Sequence, residues 1–420
     1  MTNPDKSCMV FVMSSNYPRF SGDICGWFIH EISRRIAQNN YRVISLSPHT
    51  QNSSVHEVTD NVDINRFIYF FPDRFEKLAY GSGILYNLRK SPITFFSIFP
   101  FLLSEFFWAV NIIRKNPVKI IHTHWLIPQG LAGAFFHQVT HISHIATIHG
   151  SDLNLIKTNH LLRSLFRYIV KNSNVITVNS NYIKQQTLSI APDSVQKIRV
   201  IPMGVDPEKY RNAEKTDLKT EFGTTHLILS VGRLIDIKGL IYLIEAMPVV
   251  LEKFPDTMLL LIGDGPEKEH LVLKVQELSL VDKVKFLGTI PQEELPSYYH
   301  SADVFILPSI EKAGVTEAFG VVLLEAMASG CPVIGSNVGG IPDIITNGEN
   351  GFLVPEQDPD ALADRIIQIL SDEKLRGKIQ ENGYNRIMEF FTWDQVTKQF
   401  LGIYSQVLDP NVPLKTGDAP

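Results

Sequence analysis

The 420-residue sequence predicts two α/β domains in tandem, each built on a doubly wound parallel sheet. Three observations carry that expectation. The chain is too long for one ordinary core and suits two domains of about 200 residues each. Short apolar runs alternate with helix-length amphipathic segments, the pattern of βαβ units. The alternation stops at IRVIPMGVDPEKY (198–210), where Pro202, Gly204 and Pro207 punctuate the chain, and then starts afresh. The expected division is 1–203 for the first domain, 204–391 for the second and 409–420 for a flexible tail rich in Pro, Gly and charge.

In the first domain CMVFVMSS reads as a strand, GWFIHEISRRIAQN as a helix and YRVISLS as the next strand. KIIHTHW, HIATIH and NVITVNS are further strands. The second domain offers HLILSVG, TMLLLIG, KVKFLG, DVFILPS, PVIGS and GFLVP, with helices of roughly 10 to 15 residues between them. TWDQVTKQFLGIYSQVL is a last helix that Thr392 can cap.

Composition excludes several classes. Apolar content is 44% and charged content 20%, as in globular chains. A net charge of -5 gives no electrostatic footprint for nucleic acid. Cys8, Cys25 and Cys331 form no CxxC pair and read as thiols in a reducing compartment, so a cytoplasmic location is expected. The first residues are polar and run straight into a strand, unlike a signal peptide. Ile93 to Ile113 is almost uniformly apolar, flanked by Arg89, Lys90, Arg114 and Lys115, and approaches the ~20 residues that span a bilayer. Pro100 is expected to break it and Glu105 to charge its middle, which favours a buried or surface-docking helix pair over a span. Peripheral contact with the inner membrane surface through 93–113 is the alternative, with Phe106 and Trp108 as the residues that would meet lipid.

The chemistry should lie on loops after strands, because ligands of open α/β sheets bind outside the strands' carboxyl ends. In EAFGVVLLEAMASGCPVIGSNVGG a helix is expected from about Phe319 to Ser329, closed by Gly330. Its start would aim the N–H groups of Gly320, Val321 and Val322 at a phosphate. Glu317 and Glu325, eight positions apart, would repel that phosphate, so hydroxyl groups are their natural partners. In SVGRLIDIKGL, Arg233 and Lys238 follow a strand on one loop, with Gly232 permitting close approach, and suit a diphosphate. No Walker A pattern occurs. Gly263 and Gly265 of GDGP are expected to leave room for a planar base or ribose, and Gly288 to Pro291, with Ile290, to wall the base. In the first domain NYPRFSGDICG brings Gly22 to a position where a backbone could approach the phosphates, with Arg19 and Asp23 in the same loop. TIHGSDL puts His149 at a strand end and Asp152 three residues on. Six histidines fall between His122 and His149, and His122 and His124 share a strand face, yet the spacing supplies no dependable zinc set. Asp358 and Asp360 read as helix capping.

EAFGVVLLEAMASG, SVGRLIDIKGL, GDGP and GGIPDIITNGENGFLVPEQDPDALA closely resemble the retaining glycosyltransferases of glycosyltransferase family 4, tightly from Ile201 to Phe391. YPRFSGDICG, HTHWLIPQG and IHGSDL resemble them more loosely, and Ser21-Gly22-Asp23 departs from the paired glycines that many members carry. The resemblance implies the GT-B fold, two Rossmann-like domains facing a central cleft, with 393–408 crossing back onto the first domain. It implies that Glu317 contacts hydroxyls of the transferred sugar, that Glu325 holds the ribose hydroxyls, and that Arg233 and Lys238 bind the donor diphosphate. The Phe319-Gly320-Val321 backbone would support sugar and phosphates, and His149 would lie near the sugar's reacting face.

The expected activity is therefore transfer of a hexosyl group from a UDP- or GDP-linked sugar to a saccharide or lipid-linked acceptor. Two cations and a helix start could take the place of a metal in stabilising the leaving diphosphate, and no D-x-D motif occupies a suitable loop. No cofactor is expected beyond the nucleotide-sugar substrate. Alternatives are a sucrose- or sucrose-phosphate-synthase-like transferase, a phosphorylase, for which no pyridoxal-binding lysine stands out, and a non-catalytic sugar-nucleotide-binding protein. A dinucleotide-dependent oxidoreductase would need a G-x-G-x-x-G after a strand, which is missing.

Overall fold

The computed structural model describes residues 8–20, 22–81, 84, 87–88, 92–150, 153–213, 216–409 and 411. Two compact units emerge. The first holds the described residues up to Val178, then Lys184–Ile201 and those from Thr397 onward; the second holds Asn179–Ile183 and Pro202–Val396.

The first unit carries β1 (Met9–Met13), β2 (Arg42–Pro48), β3 (His56–Thr59), β4 (Val62–Phe67), β5 (Val118–His124), β6 (Ser143–Ile148), β7 (Val175–Val178) and β8 (Ile198–Val200). Their order is β3-β4-β2-β1-β5-β6-β7-β8. All neighbours are parallel except β3 and β4. β1 is buried along its whole length, which explains a run, MVFVM, without alternation. The antiparallel β3–β4 hairpin was not expected, and it makes the sheet mixed. Its signal was local: Asp60 and Asn61 both take positive φ (53° and 63°), the turn chemistry of a two-residue hairpin.

The second unit carries β9 (His226–Val231), β10 (Thr257–Ile262), β11 (Val284–Gly288), β12 (Val304–Leu307), β13 (Val333–Ser336) and β14 (Phe352–Val354). The order β11-β10-β9-β12-β13-β14 is all parallel and reverses between β9 and β12. That is the doubly wound order with its switch point at the β9/β12 gap, where such folds bind ligands. All six strands match the expected runs. The helices between β12 and β14 are shorter than expected, Val321–Ala328 and Ile341–Ile344. Aliphatic clusters fill both faces of the sheet, one around Leu229, Phe305 and Leu323, the other around Ile228, Leu261 and Ile366.

Caps follow the sequence closely. Thr392 Oγ1 accepts from Gln395 N at 3.2 Å and opens the helix Trp393–Leu408. Asp358 Oδ1 accepts from Ala361 N at 2.9 Å ahead of the helix Pro359–Ser371. Gly330, at φ 75°, closes Val321–Ala328, and Cys331 N returns to Ala326 O at 2.9 Å.

Pro100 does not break the apolar segment. It lies in the first turn of the helix Ile98–Lys115, where its missing N–H costs nothing, after a 3-10 turn at Pro92–Ser97. Nor does Glu105 charge its middle: the residue is 2% exposed and accepts from Gln129 Nε2 at 2.8 Å. Burial pushes its carboxyl up to about 8, so it is mostly neutral at pH 7. Arg89, Lys90 and Asp152 lie outside the described residues, as do Ser21 and most of the tail.

Candidate active site

The switch point of the second sheet assembles most of the predicted residues. β9 ends at Gly232, whose N–H bonds to Ile262 O at 2.9 Å. Arg233 follows, exposed, and Leu234 is buried as the loop's anchor. A 3-10 turn, Asp236–Lys238, then leads to Gly239 at φ 61°. A side chain at Gly239 would meet Pro308 O at 2.0 Å, so only glycine lets this loop lie against the end of β12. Ile310 N donates to Ile237 O at 2.9 Å and ties the two loops together.

That tie sets Lys238 beside Glu317, and Lys238 Nζ forms an ion pair with Glu317 Oε2. The two side chains are 17% and 15% exposed, so the pair is largely shielded yet open to a ligand. Behind Glu317 stand two glycines for which the sequence argued no role. A Cβ on Gly339, at φ 58°, would lie 2.0 Å from Glu317 O, and one on Gly340 would lie 2.4 Å from Ala318 O. Gly340 N also donates to Glu317 O at 3.0 Å, and Ser180 Oγ donates to Ala318 O at 2.7 Å. The GG pair thus clamps the backbone that presents the carboxylate. The adjacent glycines in NVGG were the available signal.

The helix starts at Val321, two residues later than expected, with Gly320 at φ 103° as N-cap and no side chain capping it. Its first N–H groups have no intrahelical acceptor, a geometry and dipole suited to an anion. Phe319 is buried against Phe391, ring centroids 6.1 Å apart, so only its backbone is available to a ligand. Val321 and Ile290 are half-buried against the core. Glu325 is 6% exposed and accepts from Tyr299 OH at 2.8 Å. Burial raises its carboxyl above the ordinary range, while Tyr299, Tyr210 and Gln292, which face it, oppose the rise.

The glycines of the GDGP turn also have a packing role. A Cβ on Gly263 would meet Gly232 O at 1.9 Å, and one on Gly265 would meet Leu234 O at 2.3 Å. On the side a Cβ would occupy, the neighbouring turn fills the space. These glycines let strand-end turns stack, with Gly263 N on Gly288 O at 2.7 Å and Leu234 N on Asp264 O at 2.9 Å. Gly288 is at φ 71° in the same stack.

In the first unit Gly22, at φ 84°, faces open space. Arg19 is held by Asp23 through Nε–Oδ2 at 2.6 Å and Nη2–Oδ1 at 3.0 Å, and its guanidinium lies over Tyr80. Burial pushes the Asp23 carboxyl up, but the bonds from Arg19 outweigh it and hold it below the usual range. Gly26, at φ 67°, is the glycine this loop requires: a Cβ there would meet Asn16 O at 2.4 Å.

Three of the histidines, His122, His124 and His149, cluster at the ends of β5 and β6. His124 Nδ1 and His149 Nε2 are 3.1 Å apart, with stacked rings. His122 bonds to Tyr404 OH and to Thr147 Oγ1, each at 2.7 Å. Burial depresses His122, His124 and His149, His149 to about 4 and His122 to about 3, so these three are neutral near pH 7. Trp125 takes φ 66°, an outlier for a bulky residue, and sets its ring 4.9 Å from that of His149. Among the described residues no group of three or more His, Cys, Asp or Glu is arranged to hold a metal ion.

The chain's relatives agree with this architecture. The family description "Glycosyltransferase Family 4" matches residues 26–209, and "Glycosyl transferases group 1" matches 213–386. An uncharacterized glycosyltransferase of Methanocaldococcus jannaschii is 31% identical over 325 residues, 74% of this chain and 80% of its own length. N-acetyl-alpha-D-glucosaminyl L-malate synthase of Bacillus anthracis is 29% identical over 342 residues, 80% of this chain and 87% of its own. Phosphatidyl-myo-inositol mannosyltransferase of Mycobacterium tuberculosis is 30% identical over 331 residues, 78% of this chain and 81% of its own. Among solved structures, sucrose-phosphate synthase from Thermosynechococcus elongatus superposes with a TM-score of 0.76 at 24% identity, covering 96% of this chain and 100% of that one. A glycosyltransferase from Rickettsia africae gives 0.71 at 21%, covering 96% and 99%. With two Rossmann-like sheets of the GT-B fold and matches along both, the chain belongs to the glycosyltransferases of family 4.

Proposed function

We propose that the chain transfers a hexosyl group from a nucleotide-diphosphate sugar to a saccharide or lipid-linked acceptor, with retention at the anomeric carbon and without a metal ion. The observation that carries the reading is the meeting of Lys238, Glu317 and the uncapped helix start at one switch point, with Arg233 on the same loop as Lys238. Relatives support the substrate class. One 26% identical protein of Mycolicibacterium smegmatis is a GDP-mannose-dependent alpha-(1-6)-phosphatidylinositol monomannoside mannosyltransferase, and the Mycobacterium tuberculosis relative acts on phosphatidyl-myo-inositol.

In this reading the bond from the anomeric carbon to the diphosphate oxygen breaks, and its electron pair stays with the diphosphate. Arg233, Lys238 and the N–H groups of Gly320 and Val321 stabilise the growing negative charge. Glu317 orients sugar hydroxyls and holds Lys238 in place until the diphosphate arrives. The acceptor hydroxyl attacks the face the diphosphate leaves, and its proton goes to a departing phosphate oxygen. His149 enters through the family resemblance; a neutral imidazole there can accept a hydrogen bond from a hydroxyl or donate one.

A panel of UDP- and GDP-linked sugars, scored for turnover in the presence of a chelator and for the anomeric configuration of the product, tests this. Turnover with retention is expected for one donor. An inverted product, a covalent sugar on Glu317, or activity only with manganese or magnesium would overturn the mechanism.

A further inference from the structure

We propose that the first unit docks on an anionic lipid bilayer through the outward face of the helix Ile98–Lys115 and the 3-10 turn before it, lying in the interface plane. The helix has two faces with opposite tasks. Phe101, Glu105, Ala109 and Ile112 are buried, and the Phe101 ring packs 4.9 Å from Phe67 and 5.0 Å from Tyr69. Phe99, Leu103 and Phe107 lie two residues out of step with that stripe, about 200° round the helix, and face outward. They are 70%, 40% and 64% exposed, and Phe95 and Phe96 in the preceding turn are 67% and 77% exposed. A soluble surface rarely leaves such a contiguous aromatic face bare without an occupant.

The patch extends beyond the helix. Ser104 Oγ donates to Ile68 O at 2.5 Å, and the segment this anchors exposes Ile68, Phe71 and Phe75. Phe106 and Trp108, the residues the sequence reading offered to lipid, are instead half-buried. Phe106 stacks on Phe136 at 5.5 Å between centroids.

Charge selects the occupant. Arg74, Lys77, Arg114 and Lys115 are exposed at the margins of the patch, and Asp73 is half-buried there. The one carboxylate within the helix, Glu105, is turned inward onto Gln129, which in turn accepts from Ser15 Oγ at 2.7 Å. An apolar band with a cationic rim complements acyl chains beneath anionic headgroups. A second copy meeting this face about a two-fold axis would bring a cationic rim to a cationic rim. The segment Thr94–Lys115 is long and apolar enough to span, at a mean hydropathy of 1.7. Spanning would strip Phe101 and Glu105 from their partners in the unit's core, so the helix lies on the bilayer rather than through it.

The test needs no donor or acceptor and is therefore independent of the proposed chemistry. The full chain is floated with vesicles of phosphatidylcholine alone or with added phosphatidylglycerol, alongside Phe99→Ser/Phe107→Ser and Arg114→Gln/Lys115→Gln, with light scattering for oligomeric state. The parent floats with the anionic vesicles. The phenylalanine variant loses at least roughly 10-fold in partitioning, and the basic variant loses several-fold, with thermal melting unchanged. Absence of flotation with anionic vesicles, flotation indifferent to the phenylalanine substitutions, or a dimer that those substitutions dissolve overturns the proposal.

Discussion

Replacing Lys238 by methionine separates what the ion pair does for the fold from what the cation does for the reaction. The two side chains, 17% and 15% exposed, fall between the exposed and buried cases. Exposed pairs contribute about 0–1 kcal/mol, whereas breaking a buried one costs about 3–5. The variant, which leaves Glu317 partly shielded and unpaired, should therefore lose about 1–2 kcal/mol. At about 2–4 °C per kcal/mol for a unit of this size, melting falls by only a few degrees. Glu317→Gln in the same background should recover most of that loss, because the uncompensated carboxylate is gone. Catalysis behaves differently. A preformed donor aimed at developing charge is worth about 2.7–4 kcal/mol, so kcat/KM should fall about 100- to 1000-fold. The double variant should regain none of it. Steady-state kinetics and calorimetry on the four proteins make the cycle. If Lys238→Met lost activity only in proportion to stability, or if Glu317→Gln restored both, the lysine would be a structural partner and the reasoning would fail.

Other outcomes follow from the same geometry. Gly339→Ala, whose Cβ would sit 2.0 Å from Glu317 O at φ 58°, should displace the Glu317 loop and cut kcat at least roughly 10-fold, while Gly330→Ala, with open space around it, should cost about 1 kcal/mol of stability and little activity, read by kinetics and melting. Glu105 is held neutral in the folded state, up to about 8 against an ordinary 4.5, so folded protein binds the extra proton and stability falls as pH rises across that window; Glu105→Gln should flatten that limb of a denaturation series. His122 and His149 carry the opposite sign, since their folded values near 3 and 4 lie below 6.5; the first unit should lose stability as pH falls from about 6.5, and His122→Gln should soften that acid limb. Thr392→Ala removes the cap on Gln395 N and should cost about 1 kcal/mol in melting.

The sheets were legible because their central strands are buried on both faces and read as unbroken apolar runs. The switch point was legible because glycines and charges stand out in the loops that follow apolar strands. Arg233, Lys238 and Glu317 stand out in the sequence in this way. Tertiary contacts hid the rest. Nothing local says that Gly263 faces Gly232 O or that Gly339 faces Glu317 O, since each pair is distant in sequence and close only once the loops stack. The helix Ile98–Lys115 is apolar all round, so periodicity could not choose its inner face. Glu105 alone marks the inward stripe, and a lone carboxyl in an apolar run reads as a charge in its middle rather than as a buried neutral group. The β3–β4 hairpin carried its Asp60-Asn61 turn in plain view within a stretch that lacked a familiar motif.

The central claim is that the β9/β12 switch point holds a nucleotide diphosphate with protein groups alone. Calorimetric titration of UDP and of GDP into the parent, Arg233→Ala and Lys238→Ala, all in excess chelator, tests it most directly. One nucleotide should bind the parent, and each variant should bind it at least roughly 10-fold more weakly, the loss of one charge-assisted contact. Equal affinity in all three proteins, or binding that appears only when a divalent ion is restored, would contradict it.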